Sequence, residues 1–309
     1  MHKFYFSSYS MTPALDKFDE AFESCYISKL SQYPEIIGIE YPYLLDHSIY
    51  SNEFLKANIP DHWQVILTAL PVTMQSLSMD PEFGLASTNA KSRRNSVRMI
   101  KQINHRAIQL NDLFQRQVVK GIHIQTAPSS YQHIKGTKEA LMQSLAEICN
   151  WQWQSVELNI EHCDAKAADR LPEKGFLSLA DEICAIREVE HVGIMLNWAR
   201  SVIEGHSRDR AIKHIQQAQD SGYLRGYFFS GCSDSPSSVY GAFKDSHMPP
   251  RLAEIDESKD SLLDEHTIET IYNQLNADSY LGIKIAPAVK KFDLKSLLSL
   301  TKNTLSCFN

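Results

Sequence analysis

Four residues that can do chemistry stand side by side in the stretch NIEHCDA, residues 159–165: Glu161, His162, Cys163 and Asp164. Side chains of these types bind metals, move protons, or close a polar loop after a strand, and all three readings stay open for the stretch itself. Similar residues recur at the ends of other apolar runs: Glu40, His123, Asn197, Ser230 and Lys284. Glu161 suits metal binding or general-base work, while His123 and His162 suit metal binding or proton shuttling. Lys284 suits an anionic group, an enolate, or a Schiff base if its pKa falls. Placed opposite Glu161 it would keep its charge, which favours the electrostatic role. In LNWAR, Asn197, Trp198 and Arg200 offer hydrogen bonds and an aromatic floor for a sugar-like or carboxylate ligand. Asp245 and His247 form a D-x-H pair that can reach one ligand from an extended loop. Glu173 and Lys174 read as a solvated turn.

The elements that must position these residues alternate regularly. Strand-like runs occur at 4–8, 36–41, 64–70, 121–126, 155–161, 191–196, 224–230 and 280–286. Several are apolar almost throughout, as in strands covered on both faces. Helical patterns fill the gaps. Thr12-Pro13 reads as an N-cap with proline at the first helical position, opening 14–30. Asn95 or Ser96 reads as the cap of the helix that follows the third strand, Thr137 and Ser178 as caps of later ones, and Gly222 as a C-terminal stop. Eight strand–helix alternations predict an α/β fold, a (β/α)8 TIM barrel, with residues 1–309 as one domain. The surplus length falls at 71–94 and 231–259, predicting long loops after strands 3 and 7 on the C-terminal face. Catalytic groups of such barrels gather on that face, so the strand-end residues should converge on one mouth.

Bulk properties remove several function classes. The 309 residues are 43% hydrophobic and 22% charged, with a net charge of −6. The basic clusters, Arg93-Arg94 and Lys290-Lys291, are too small for a broad phosphate-binding surface, so no nucleic-acid partner is expected. No apolar run approaches the ~20 residues that span a bilayer, and no membrane partner is expected. The N-terminal segment lacks a basic stretch followed by a long apolar one, which predicts a cytoplasmic protein. Six cysteines without a C-x-x-C pair predict reduced thiols rather than a zinc ribbon or disulfide framework.

The whole chain resembles the xylose-isomerase-like TIM barrels, the superfamily of sugar isomerases, epimerases and endonuclease-IV-type enzymes. More specifically, FYFSSY, GIHIQTAP, IEHCDA, EKGFLSLADE, LNWAR and LGIK resemble an uncharacterised bacterial family, domain of unknown function 4862. The superfamily resemblance implies a divalent metal at the strand ends. Its fifth-strand glutamate matches Glu161, a fourth-strand histidine resembles His123, and a D-x-H pair after strand seven resembles Asp245 and His247. Elsewhere the pattern breaks. Asn197 stands where an aspartate is expected, Arg200 where a histidine is, Ser230 or Gly231 where another histidine is, and Lys284 where a glutamate is.

Relative to the metal-binding pattern, Asn197 and Lys284 shift the site by roughly three charge units, each close pair being worth on the order of a few kcal/mol. A standard cation site at Glu161 is therefore not expected, although a displaced zinc or manganese on Glu161, His123, Asp245 and His247, with His162 in reach, stays open as the one cofactor alternative. The leading expectation is a sugar or sugar-acid isomerase or epimerase. In it Glu161 is the base, Lys284 stabilises the enediolate, and His123 or His162 assists. Glu40, Asn197, Trp198, Arg200 and Ser230 would bind the substrate. The alternatives are a sugar hydrolase or lyase with Glu40 and Glu161 as the carboxylate pair, and a non-catalytic metabolite-binding barrel. The ligand in each case is a small carbohydrate or sugar acid, and a homo-oligomer is compatible with all three. Whether His162 faces the mouth or away is open, since neighbouring strand residues alternate faces.

Overall fold

The computed structural model describes residues 2–15, 17–44, 49–130, 133, 135–166, 170–253, 255–288 and 293–308. Lys290 and Lys291 lie outside them. Eight parallel strands close a barrel in sequence order: β1 (Phe4–Phe6), β2 (Ile36–Pro42), β3 (Gln64–Thr68), β4 (Val119–Ile124), β5 (Glu157–Glu161), β6 (Val192–Asn197), β7 (Leu224–Phe229) and β8 (Tyr280–Ile283). The ring closes where β1 pairs with β8, Phe6 standing opposite Ile283. The (β/α)8 barrel expected from the alternating pattern is the fold.

The helices among the described residues are α1 (Ser8–Met11), α2 (Glu20–Leu30), α3 (Asn52–Asn58), α4 (Leu70–Met79), α5 (Ala90–Phe114), α6 (Lys138–Ile148), α7 (Leu179–Ile186), α8 (Trp198–Gly205), α9 (Arg208–Asp220), α10 (Glu265–Tyr272) and α11 (Leu294–Ser306). Two starts differ from expectation. The helix expected over 14–30 is α2, which opens at Asp19, whose carboxylate accepts from the Phe22 amide, rather than at Thr12-Pro13. The long helix α5 is capped by Asn89, whose Oδ1 accepts from the Lys91 and Ser92 amides, rather than by Asn95 or Ser96. The polar run after Asn89 is the start of a helix, with Lys91 and Arg94 exposed and Ser92 and Ser96 buried, and its apolar stripe, Val97, Ile100, Ile103, Ala107 and Leu110, keeps the helical period. Full burial of each large aliphatic there contributes about 1.5–3 kcal/mol. The surplus after β3 is thus largely helical, since α4 also lies within it. The segment after β7 is irregular and is pinned by isolated bridges, Gly231 to Met248 and Ser233 to both Ala242 and Ser261.

Inside the barrel two layers differ in kind. The lower one is apolar: Tyr5, Ile66, Met195 and Phe228 pack together with Tyr280 against them. Gly226 and Gly282 make room for it, because a Cβ at either would meet the ring of Tyr280 or Phe228. The upper layer, at the C-terminal strand ends, is polar and fully buried, containing Ser7, Glu40, His123, Glu161, Asn197, Ser230 and Lys284. Strand alternation sends these residues inward while their neighbours Ile39, Ile122, Ile160 and Ile283 face the outer core.

Candidate active site at the barrel mouth

Lys284 follows β8 directly, and its backbone N–H donates to Phe229 O at 2.8 Å, which carries the parallel ladder one residue further. The side chain enters the mouth. Its Nζ lies 3.1 Å from Glu40 Oε2, 3.7 Å from Glu161 Oε1 and 5.4 Å above the Tyr9 ring. Burial pulls the ammonium toward neutrality, but Glu40, Tyr9 and Glu161 outweigh it and hold the Lys284 pKa above its ordinary value. Burial pushes the Glu40 carboxyl up, yet Lys284, His123 and the Ser7 hydroxyl hold it below the usual carboxylate range. Glu161 follows the same logic, with Arg200 and Lys284 overcoming burial. Its Oε2 accepts from Gln125 Nε2 at 2.7 Å, and its Oε1 is 2.5 Å from Arg200 Nη1.

His123 is oriented from below. Asn159 Nδ2 donates to the Tyr280 hydroxyl at 3.1 Å, and that hydroxyl is 2.8 Å from His123 Nε2. With its oxygen accepting from Asn159, the Tyr280 O–H is free to donate to Nε2, and in that tautomer the ring proton sits on Nδ1. Nδ1 then faces Glu40 Oε1 at 3.7 Å and has no closer hydrogen-bond partner.

A second set of charges roofs the mouth. Arg200, on the first turn of α8, reaches Asp245 Oδ2 with Nε at 3.1 Å. Lys174 pairs with the same oxygen. Lys174 is therefore no solvated turn residue: its side chain is 7% exposed, and Asp245 keeps it charged against burial. Asp245 is held well below the aspartate range, since Lys174 and Arg200 outweigh its burial. His247 Nδ1 stands 3.3 Å from Asp245 Oδ1, and burial lowers the His247 pKa. Three carboxylates (Glu40, Glu161, Asp245) thus face three cations (Lys284, Arg200, Lys174). Asn197 caps α8, its Oδ1 accepting from the Arg200 amide at 3.4 Å and from Ser230 Oγ at 2.8 Å, while its Nδ2 has no hydrogen-bond partner among the described residues. Trp198, read from the sequence as a binding-site floor, packs fully buried in the main hydrophobic core.

The four residues of NIEHCDA separate. Glu161 points into the mouth. His162 points out of it, with Nδ1 2.7 Å from Glu182 Oε2 on α7 and Nε2 3.2 Å from Glu204 Oε2 on α8. Cys163 is buried in a small apolar cluster with Leu70, Ala127 and Phe176, and burial pushes its thiol up to about 12. Asp164 Oδ2 accepts from the Lys174 and Gly175 amides at 2.9 and 3.3 Å, holding the turn that delivers Lys174.

The profile of the DUF4862 family, described as a domain of unknown function, matches residues 6–300. The chain belongs to the DUF4862 family. A relative, the uncharacterized protein STM3670 of Salmonella typhimurium, is 32% identical over 243 residues, spanning 78% of this chain and 76% of that protein. The fold is shared with solved structures of lower identity, among them barrels described as xylose-isomerase-like. An AP endonuclease, family 2, from Brucella melitensis superposes with a TM-score of 0.60 at 11% identity, covering 98% of both chains. A D-psicose 3-epimerase crystallised with D-fructose superposes at 0.58 with 12% identity, covering 99% of this chain and 96% of that one. These solved structures share the barrel fold of the DUF4862 chain.

A divalent cation of the kind that superfamily resemblance implies does not fit the mouth of this DUF4862 barrel. Donor atoms of Glu40, His123 and Glu161 do lie within 4.8 Å of one another. The Lys284 ammonium, however, stands between the two carboxylates, and Arg200 covers Glu161. Each unit of added positive charge at about 4 Å from that ammonium is opposed by roughly 4 kcal/mol at an effective dielectric near 20. The set Glu161, His123, Asp245 and His247 does not form one ligand group among the described residues, because Asp245 is engaged by Lys174 and Arg200.

Sequence reasoning overlooked Gln125, Tyr280 and Tyr9 around the mouth. The Tyr280 ring fills the space left by Gly226 on the neighbouring strand β7, a pairing between residues 54 positions apart that no local pattern announces.

Proposed function

We propose that the protein is an isomerase or epimerase of a sugar acid or similar hydroxy-carbonyl compound, working by proton transfer with Lys284 in the place of a metal ion. The observation that carries this reading is the Lys284 ammonium, bracketed by Glu40 and Glu161 at the buried centre of the mouth. A fixed positive charge there stabilises the oxyanion that forms when a proton leaves the carbon next to a carbonyl, and a preorganised charge of this kind contributes on the order of 10²–10³ in rate. Glu161 is the base, with its Oε2 fixed by Gln125. His123, aimed by Tyr280 and bearing an unpartnered Nδ1, is the second proton carrier. Asn197 Nδ2 offers a buried donor to a substrate hydroxyl beside Ser230.

The convergence of Arg200 and Lys174 on one carboxylate favours an anionic substrate group. Asp245 occupies those two cations. A substrate carboxylate could take the place of Asp245 on these two cations without changing the charge balance of the site. A hydrolase using Glu40 and Glu161 finds less support, because that chemistry needs one carboxylic acid protonated near neutral pH and both groups are held in the opposite direction.

The test is solvent deuterium exchange into a panel of aldonic, uronic and keto sugar acids and their neutral sugars, in the presence of a chelator. Exchange next to the carbonyl, faster for the acids, is the expected result. Saturable binding of a sugar acid with no exchange at all would move the protein to the non-catalytic binding barrels.

A further inference from the structure

The residues left over from the mouth form a second cluster on the outer side of the barrel. His162 leaves the end of β5, Glu204 lies in the last turn of α8, and His214 lies in the middle of α9. Donor atoms of the three lie within 4.8 Å of one another. We propose that His162, Glu204 and His214 form a transition-metal site, with zinc the ion it suits, separate from the barrel mouth.

The three side chains converge closely enough to share one ion. His162 Nε2 is 3.2 Å from Glu204 Oε2, and His214 Nε2 is 3.3 Å from Glu204 Oε1, so each imidazole faces its own oxygen of the one carboxylate. The outer partners fit as well. A metal-bound imidazole usually gives its other nitrogen to a carboxylate or hydroxyl, which fixes the ring. His162 Nδ1 meets Glu182 Oε2 at 2.7 Å, and Glu182 is itself held by Thr126 Oγ1 at 2.6 Å. His214 Nδ1 meets Ser201 Oγ at 3.0 Å. Glu204 Oε2 also accepts from the Ala165 amide at 3.0 Å, which fixes the third ligand. Both Nε2 atoms are thereby turned to one carboxylate.

Composition and access point the same way. Two imidazoles and a carboxylate suit zinc, whereas a set with two nitrogen ligands and only one carboxylate suits magnesium or calcium poorly. The local charge differs from the mouth: among the described residues no lysine is seated between Glu182 and Glu204, and the nearby Arg210 Nε is 3.9 Å from Glu204 on a side chain 44% exposed. Glu204 borders a cleft of about 130 Å³, with Ala165, Ile203, His206 and Phe243 among its walls. Glu204 is the ligand that reaches this cleft, with His162 and His214 buried behind it, and three protein ligands leave a fourth position for a water or ligand, as in zinc sites that act on one.

The experiment is a cobalt(II) titration of the chelator-treated full-length protein, followed by visible absorption. Expected is one equivalent of Co(II) giving the intense d–d bands of a tetrahedral site, without the near-ultraviolet band of a cobalt–thiolate bond, and displaced by zinc. Glu204→Gln and His214→Gln should weaken binding on the order of 100-fold or more, and Ser201→Ala, which removes only an outer partner, about 10-fold. Glu161→Gln, in the mouth, should leave the titration unchanged. Ser201→Ala also keeps the test decisive if the ligand variants do not fold. Absence of a stoichiometric tetrahedral spectrum in the wild-type protein overturns the proposal, as does a spectrum that survives Glu204→Gln or is lost in Glu161→Gln.

Discussion

The barrel mouth and the outer cluster are built from the same side-chain types and do different things. Each brings histidine and glutamate donors within 4.8 Å. In the mouth, Lys284 is seated between the carboxylates and Arg200 and Lys174 close the network, so three negative charges meet three positive ones. In the outer cluster no lysine intervenes among the described residues, and each imidazole is backed by an outer acceptor or hydroxyl. A cluster of ligand-type residues therefore says little until the nearest cation is located. In the mouth that cation is covalently part of the chain; in the outer cluster the position is left to an ion from solution.

The comparison can be broken most forcefully with acid. Glu40 and Glu161 are held below their ordinary value of 4.5, and Asp245 below 3.8. Folded pKa values depressed in this way mean that the stabilisation is present above the unfolded values and is lost as pH falls through the folded ones. Equilibrium unfolding should therefore show stability nearly constant from neutral pH to about pH 4.5, then falling by up to about 1.4 kcal/mol per pH unit for each group still ionised in the fold. A next, smaller effect comes from Lys284→Met, which leaves Glu40 and Glu161 buried without their shared cation. Denaturant titration at neutral pH should show a loss of about 3–5 kcal/mol, with part of it recovered in Lys284→Met/Glu40→Gln. In Lys284→Met the acid decline should also be shallower, because those carboxylates are no longer held low.

Asp245→Asn tests the roof. It keeps the shape but leaves Lys174 and Arg200 facing an amide, and a loss of about 2–3 kcal/mol is expected, read by the same titration. The smallest effect belongs to the outer cluster. Without metal, His214→Gln removes hydrogen bonds to Ser201 and Glu204 and should lower stability by about 1 kcal/mol. The deuterium-exchange rate at the mouth should stay within about 2-fold of wild type. A large drop in exchange would mean that the two regions are one site.

The barrel was legible because its signals are periodic and local. Apolar strands every few dozen residues, capped helices between them, and chemistry-bearing residues at strand ends all pointed to one face, and Glu40, His123, Glu161 and Lys284 do meet there. What escaped was whatever depends on rotation or on distant partners. Glu161 and His162 are adjacent, so one of them had to turn outward, and sequence alone could not say which. Lys174 looked like a surface turn residue because its burial comes from Asp245, 71 positions later, and from a turn organised by Asp164. Glu204 and His214 lie on two helices with no strand-end signal, and only the packing of α8 on α9 brings them to His162. Trp198 misled for the opposite reason: next to Asn197 in sequence, it turns to the core as the first residue of α8.

The central claim is that Lys284 performs the electrostatic task of a metal ion. Its most direct test is the rate of solvent-deuterium exchange into a sugar-acid substrate by chelator-treated protein, wild type against Lys284→Met. The account predicts exchange that is indifferent to chelator and falls by about 10²–10³ in the variant. Exchange that appears only when a divalent metal is added, or that survives loss of the lysine, would contradict it.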